Sequence, residues 1–160
     1  MISTFCDWLA ATPASEVIQN TFWMIPIIQT IHIVSIAVVV SCMAMLDFRL
    51  LGLTGRDQSV PDTARRFLPW TWAAVAALFC TGALLIVAEP ARELQSPVFW
   101  AKMSLLACVL GITLLFQVVL KRGDFWQRHR APTMVIAVTS LVLWIGIVVA
   151  GRWIAYVVHG

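Results

Sequence analysis

Apolar residues run through this chain in four long stretches that show no two-residue alternation. The stretches cover residues 21–46, 67–88, 97–120 and 132–158. Each is long enough to cross a bilayer as a helix, which takes roughly 20 residues. Because lipid offers no hydrogen bonds to the backbone, stretches of this length predict helices rather than open strands. We therefore expect an all-α fold, an integral membrane four-helix transmembrane bundle that forms a single domain over residues 1–160.

A shorter segment precedes the first long stretch. Thr12 followed by Pro13 is typical of a helix start, with threonine as the N-cap and proline as the first helical residue. Pro26 interrupts the apolar pattern that follows. The pattern predicts one short N-terminal interfacial helix and a bend into the membrane near Pro26. The segment carries Asp7 and Glu16 and no basic residue, which is not the pattern of a cleavable signal peptide.

Composition supports a membrane protein. The chain is 61% hydrophobic and 12% charged, whereas soluble domains carry about 25% charged residues. The net charge of +3 is small, and the basic residues lie beside the apolar stretches. They are therefore expected to set topology and meet lipid headgroups, and no nucleic-acid partner is indicated.

The basic residues fall in two connecting segments that share one side of the membrane if the chain crosses four times. They are Arg49, Arg56, Arg65 and Arg66 in the first segment, and Lys121, Arg122, Arg128 and Arg130 in the second. Basic residues that flank spans favour the cytoplasmic side. The pattern thus predicts a multi-pass protein with both termini outside.

Five polar residues from four different spans fall at a similar depth in the outer half of the bundle. Depth follows from the 1.5 Å rise per helical residue, counted from Asp47, Lys121 and Pro132 as markers of the inner boundary. Ionisable residues in a membrane are costly and often functional. The candidate cofactor-binding residues at this depth are His32, Thr81, Lys102, Arg152 and Tyr156.

A haem b between the helices would account for the basic members of this group. His32 would be an axial ligand and hence the metal-binding residue, because histidine commonly ligates haem iron. Lys102 and Arg152 would pair with the propionates. Gln29 lies one turn farther out and is a candidate for bonding a propionate or a substrate.

Each candidate also has a purely structural interpretation. A neutral His32 can hydrogen-bond a neighbouring helix, and Lys102 and Arg152 can extend to outer headgroups. Gln29 and Thr81 can serve as interhelical hydrogen-bonding residues, and the tyrosine can belong to an aromatic belt. The two glutamates of "AEPARELQSP" are expected in an exposed loop, where they form no catalytic carboxylate pair.

Sulfur residues near the inner end of the first span offer a different chemistry. The run "SCMAML" contains Cys42, Met43 and Met45. Thiolate and thioether ligands suit Cu(I), although these residue types also pack routinely in membranes. Copper handling is therefore kept as an alternative to haem.

Four segments carry a resemblance to known membrane proteins. They read "PIIQTIHIVSIAVVVSCMAMLDFRLLGL", "TGALLIVAEP", "SPVFWAKMSLL" and "SLVLWIGIVVAGRWIAY" and span most of residues 26–156. The chain resembles a family of uncharacterised four-span bacterial membrane proteins. That family is similar in outline to the HemJ-type protoporphyrinogen oxidases and to the CopD-type membrane domain. The HemJ resemblance implies haem binding through His32 and Lys102, and it implies a place in the bacterial inner membrane.

Two functions of different classes follow as hypotheses. The first is a haem b protein for redox or electron transfer near the periplasmic leaflet, with quinone or a periplasmic redox protein as partner. An oxidase reaction like that of the HemJ-type proteins is a narrower form of it, so the sequence leaves open whether the protein is an enzyme. The second is a non-enzymatic membrane anchor or accessory subunit, within a larger complex or a homo-oligomer.

Overall fold

The fold is all-α, as the sequence predicts. The structure, a computed structural model, describes residues 2–55, 57–120 and 130–157. Their helices are α1 (Ile2–Ala10), α2 (Pro13–Asn20), α3 (Met24–Leu50), α4 (Val60–Ala88), α5 (Pro90–Leu94), α6 (Pro97–Leu120) and α7 (Arg130–Val157). Four of these, α3, α4, α6 and α7, are long and apolar enough to cross a membrane. Of the basic residues that predict the topology, Arg56, Lys121, Arg122 and Arg128 lie outside the described residues.

The N-terminal segment forms the predicted short helix, α2, and a further short helix, α1, before it. The predicted helix start is confirmed, because the Thr12 hydroxyl accepts a hydrogen bond from the Ser15 N–H at 3.4 Å. Pro13 is the first residue of α2. Proline disfavours helical geometry in the residue before it, which ends α1 and separates the two helices.

The first span begins at Met24, three residues later than predicted. Pro26 is the third residue of α3, where its missing N–H needs no partner. The change of direction lies instead in the turn at residues 21–23. At its other end α3 continues to Leu50 and is closed by Gly52, whose φ of +74° suits glycine.

The second span is longer than predicted at its start. Ser59 caps α4 by accepting a hydrogen bond from the Asp62 N–H at 3.2 Å. Arg65 and Arg66 therefore belong to α4 and not to a loop. The predicted third span matches α6, and the fourth span begins two residues early, at Arg130.

The four long helices pack around one apolar core. Helix α3 packs against α4 on one side and α7 on the other, and α7 packs against α6. The core residues shared by these helices include Val39, Met43, Leu46, Val75, Val109, Phe116, Trp144 and Ile147. Apolar side chains cover the outer surface of the bundle, as expected of a protein that lies in a bilayer.

The short helices close one end of the bundle, which we call the His32 end. Gln19 of α2 donates a hydrogen bond to the Ala88 carbonyl at the end of α4, at 2.8 Å. The Cys6 thiol of α1 lies 3.6 Å from the Pro90 carbonyl of α5. The opposite end, where α3 ends and α4 begins, is called the Asp47 end.

Candidate functional site

Helix α3 directs His32 toward the interior of the bundle. Ile28, Ser35 and Val39 are buried on α3, and His32 falls between them at helical spacing on the same face. The ring is half-buried and lies against α4. Thus the histidine belongs to the packed face of its helix and not to the lipid-facing one.

Thr81 fixes the orientation of the His32 ring. The His32 Nδ1 and Thr81 Oγ1 atoms are 2.7 Å apart. The Thr81 hydroxyl donates its only hydrogen to the Ala77 carbonyl, one turn back, at 2.7 Å. With its hydrogen on that carbonyl, the hydroxyl accepts from His32, and the ring proton of a neutral histidine is then on Nδ1. The Nε2 atom then keeps its lone pair, and no described residue hydrogen-bonds it.

Gly82 lets the His32 ring lie close to the backbone of α4. A Cβ atom placed at Gly82 would meet the His32 Cε1 atom at 3.6 Å, an ordinary contact distance. A methyl group would fit there, whereas a branched side chain would displace the ring. Thr81 and Gly82 together form a polar and a steric support for His32.

Lys102 places a basic group from the α6–α7 pair of helices near this histidine. It is half-buried on α6, and its Cε atom lies 4.0 Å from where a Cβ of Gly151 on α7 would be. Its ammonium group interacts electrostatically with His32 and with Glu93. The structure thus brings together His32, Thr81 and Lys102, three of the residues that depth counting selects.

Glu93 is a member of the site that the sequence analysis missed. The two glutamates were expected in an exposed loop, but Glu93 is half-buried on the short helix α5. Burial raises the pKa of Glu93, as does Glu89, while Lys102 and Arg92 act in the opposite direction. The proline that starts "PAREL" is the signal that could have predicted this helical turn.

Two further donors on this side of the bundle have no acceptor among the described residues. Arg92 bonds Glu89 at 2.6 Å, yet its Nε atom is buried without a partner. The Ser96 hydroxyl, in a residue only 8% exposed, is also unpaired. Buried donors normally have partners, so the region next to Glu93 has unused capacity to bond a carboxylate.

The other predicted site residues are not brought to His32 by described contacts. Gln29 is exposed on α3, off the face that carries His32. Arg152 and Tyr156 belong to α7, but their side chains lie outside the part of the chain whose side chains the structure describes. Their proposed contacts with a cofactor stay predictions.

Side chains that could bind a metal ion do not cluster in the described part of the chain. Nowhere in residues 2–55, 57–120 and 130–157 do three His, Cys, Asp or Glu side chains converge on one point. In the sulfur-rich run, Met43 is buried in the core, whereas Met45 is 49% exposed. Met43 and Met45 of the predicted copper run therefore lie in different surroundings.

Fold and site together define a multi-pass α-helical membrane protein with a histidine-centred polar site between its spans. The chain belongs to the family of unknown function DUF6644, whose profile matches residues 5–157. This match supports the predicted uncharacterised four-span family, and it shows no link to HemJ-type or CopD-type proteins. No curated protein and no solved structure matches the chain.

Proposed function

We propose that the protein binds haem b within the membrane and takes part in electron transfer, with His32 as an axial ligand. The observation that carries this proposal is the hydrogen bond between His32 Nδ1 and Thr81 Oγ1. Histidines that ligate metals usually donate their other ring N–H to a protein acceptor, which fixes the ring and the tautomer. The Thr81 hydroxyl is such an acceptor for His32, and the lone pair of Nε2, on the other side of the ring, stays available for iron.

Haem fits this donor set better than a bare metal ion. The porphyrin supplies four nitrogen ligands, so the protein needs to provide only one or two axial ligands. When bound, haem supplies one-electron chemistry. The residues of the chain would bind and orient it, with Lys102 and Arg152 pairing with the propionates. The unpaired donors of Arg92 and Ser96 add capacity for carboxylates on the same side.

The electron partner in this proposal is a quinone within the bilayer or a redox protein that docks at the His32 end. We place that end at the periplasmic face of the bacterial inner membrane, following the basic residues at the other end. An oxidase activity at the same site is the narrower form of the proposal.

An absorption spectrum tests the proposal directly. The protein is purified after expression with adequate haem and measured air-oxidised and then dithionite-reduced. Wild type should show a Soret band and a reduced α-band, His32→Ala should lose both, and His129→Ala should keep them as the matched histidine control. A flat visible spectrum from wild type, or an unchanged one from His32→Ala, would refute ligation by His32.

A second candidate is a membrane anchor or accessory subunit, whose partner chain would replace lipid on the exposed faces of α6 and α7. Only 17% of the most apolar stretch of α6 and 22% of that of α7 are buried in the bundle. Large apolar side chains on these faces are Leu114, Leu115, Val142 and Ile145. An anchor should co-purify with a stoichiometric partner chain and tolerate His32→Gln without loss of assembly, whereas the haem protein should lose its spectrum.

A further inference from the structure

A second polar cluster lies at the His32 end, in the connection between α4 and α6. This connection consists of α5 and residues 95–96, and we call it the α5–α6 junction. Helix α1 packs against it, with the Cys6 thiol at the Pro90 carbonyl. The haem proposal does not require the junction, because Lys102 and Arg152 are its partners for the two propionates.

The Ser96 hydroxyl, directly before α6, is not used in capping that helix. Serine in this position commonly accepts a hydrogen bond from an N–H of the first turn. Here the Phe99 N–H bonds the Ser96 carbonyl at 3.2 Å, and the hydroxyl has no partner among the described residues. The residue is only 8% exposed. A buried, unpaired polar group thus lies at the N-terminus of a 24-residue helix, where the backbone favours negative charge.

Arg92 lies one helical turn before Ser96. The Gln95 N–H bonds the Ala91 carbonyl at 3.2 Å, so the helical turn continues past the end of α5. Side chains four residues apart on a helix are neighbours, with Cβ atoms about 5–6 Å apart. The Arg92 Nε–H is buried and unpaired, like the Ser96 hydroxyl. The two donors are therefore close enough for one phosphate group to bond both.

Glu89 adds a carboxylate to the same junction. Its Oε2 atom accepts a hydrogen bond from Arg92 Nη1 at 2.6 Å, which leaves Oε1 for a second donor. The Glu89 side chain is 40% exposed and that of Arg92 is 32% exposed, so the pair forms an open edge. A ligand reaches the buried Nε–H from this edge when the arginine, anchored through Nη1, turns about its long stem.

Trp100 marks the lipid side of the junction. It is 53% exposed on α6, and its indole N–H bonds the Leu94 carbonyl at 3.0 Å. Tryptophan at the end of a span commonly lies at the level of the lipid headgroups. The unpaired donors and the Glu89 carboxylate are therefore at the height where headgroups meet the bundle.

We propose that the α5–α6 junction binds a phospholipid whose headgroup joins a phosphate to a primary ammonium, as in phosphatidylethanolamine. The Arg92 Nε–H, the Ser96 hydroxyl and the N-terminus of α6 bind the phosphate. The Glu89 carboxylate binds the ammonium. A headgroup with a phosphate alone would meet Glu89 and Glu93 without a positive charge of its own. A quaternary ammonium would have no N–H to donate to the carboxylate.

Native mass spectrometry of the purified full-length protein in detergent tests the proposal. The protein is titrated with phosphatidylethanolamine, phosphatidylcholine and phosphatidylglycerol that carry the same acyl chains. Wild type should bind phosphatidylethanolamine about tenfold more tightly than the other two, since a hydrogen bond between charged groups contributes about that factor. Inorganic phosphate at the lipid concentration should not displace it. Equal binding of the three lipids, or displacement by inorganic phosphate, would overturn the proposal.

Variants locate the bound headgroup. Ser96→Ala lacks the hydroxyl and Arg92→Lys lacks the Nε–H, so each should bind phosphatidylethanolamine about tenfold more weakly. Glu89→Gln should lose the preference for phosphatidylethanolamine over phosphatidylglycerol. If Arg92→Lys does not fold, the other two variants carry the test. Unchanged binding and unchanged preference in those two variants would show that the lipid does not bind at the junction.

Two controls separate this site from other effects. Ser104→Ala changes an exposed serine of α6, whose hydroxyl bonds the Trp100 carbonyl at 3.0 Å, and it should bind lipid as wild type does. A loss in Ser104→Ala as large as that in Ser96→Ala would contradict the proposal. His32→Ala should also keep the lipid, so failure of the haem proposal is seen separately.

Discussion

Replacing Thr81 by valine probes the contact on which the haem proposal rests. Valine keeps the shape of threonine but cannot accept the His32 Nδ1–H, which lies 2.7 Å from the hydroxyl oxygen. Thr81 is only 6% exposed, so water has little access to replace the lost acceptor. The substitution therefore leaves a buried N–H donor without a partner.

The expected magnitude follows from that unpaired donor. A net hydrogen bond contributes about 1 kcal/mol, and an unpaired buried donor costs about 1–3 kcal/mol. The haem-free Thr81→Val protein should thus lose about 2 kcal/mol of stability. Removal of a residue that orients a metal ligand typically weakens metal binding about 10–100-fold. At about 1.4 kcal/mol per tenfold change, haem affinity should fall by about 1.4–2.8 kcal/mol.

Two measurements with matched controls check these values. Haem titration followed at the Soret band gives affinity, and chemical unfolding in detergent gives stability. Thr81→Ser keeps the hydroxyl and should retain haem affinity. Thr71→Val is the matched apolar control, because Thr71 is also buried on α4 and donates to a carbonyl one turn back, that of Phe67, at 3.1 Å.

The outcome that refutes the reasoning is specific. If Thr81→Val and Thr81→Ser bind haem equally tightly, the Thr81 hydroxyl does not orient the ligand. If Thr71→Val weakens haem binding as much as Thr81→Val, the effect comes from α4 stability in general. Either result would remove the observation that supports His32 as an axial ligand.

Three further predictions test the surroundings of the site. Burial raises the pKa of Glu93, so the stability that this group contributes is full below about pH 4.5 and is lost as pH rises through the folded-state pKa. Subtracting the Tm of wild type from that of Glu93→Gln should therefore give a larger value at about pH 7.5 than at about pH 4.5. A Tm difference that does not change with pH would contradict this. Gly82→Ala should stabilise the haem-free protein by about 0.5–1 kcal/mol, because alanine favours the helix and its Cβ meets His32 at an ordinary contact distance. Gly82→Leu, in contrast, should abolish the Soret band. Equal visible spectra of the two variants would argue against a haem beside this glycine. Glu89→Gln should change stability by less than about 1 kcal/mol in chemical unfolding, since its pair with Arg92 is partly exposed, and a larger loss would show that the pair is structural.

The site shows where depth counting from the sequence succeeds. Counting residues along helices places His32, Thr81 and Lys102 at a common depth, and the structure brings these three residues together. The rise per residue of a helix is fixed, so depth can be read from position. Depth alone, however, does not say which way a side chain points around its helix. Gln29, a candidate because it lies one turn from His32, is exposed on α3.

The sequence by itself determined the all-α class, the four spans and the start of α2. These features depend on local interactions: long apolar stretches must be helical in lipid, and Thr12 with Pro13 caps a helix through neighbouring atoms. The ends of the spans were less well predicted, because caps such as Ser59 extend α4 into polar sequence.

Only the tertiary structure decided which polar groups meet. Helix α3 is apolar on nearly all sides, so no amphipathic pattern indicated its buried face. Packing against α4 gave His32 its partner Thr81, and the short helix α5 brought Glu93 within electrostatic range of Lys102. Packing against α7 buried Asp47 next to Ser140, a burial that the apolar pattern of α3 did not indicate. These pairings join residues far apart in the chain, and their energies arise only when the helices pack together.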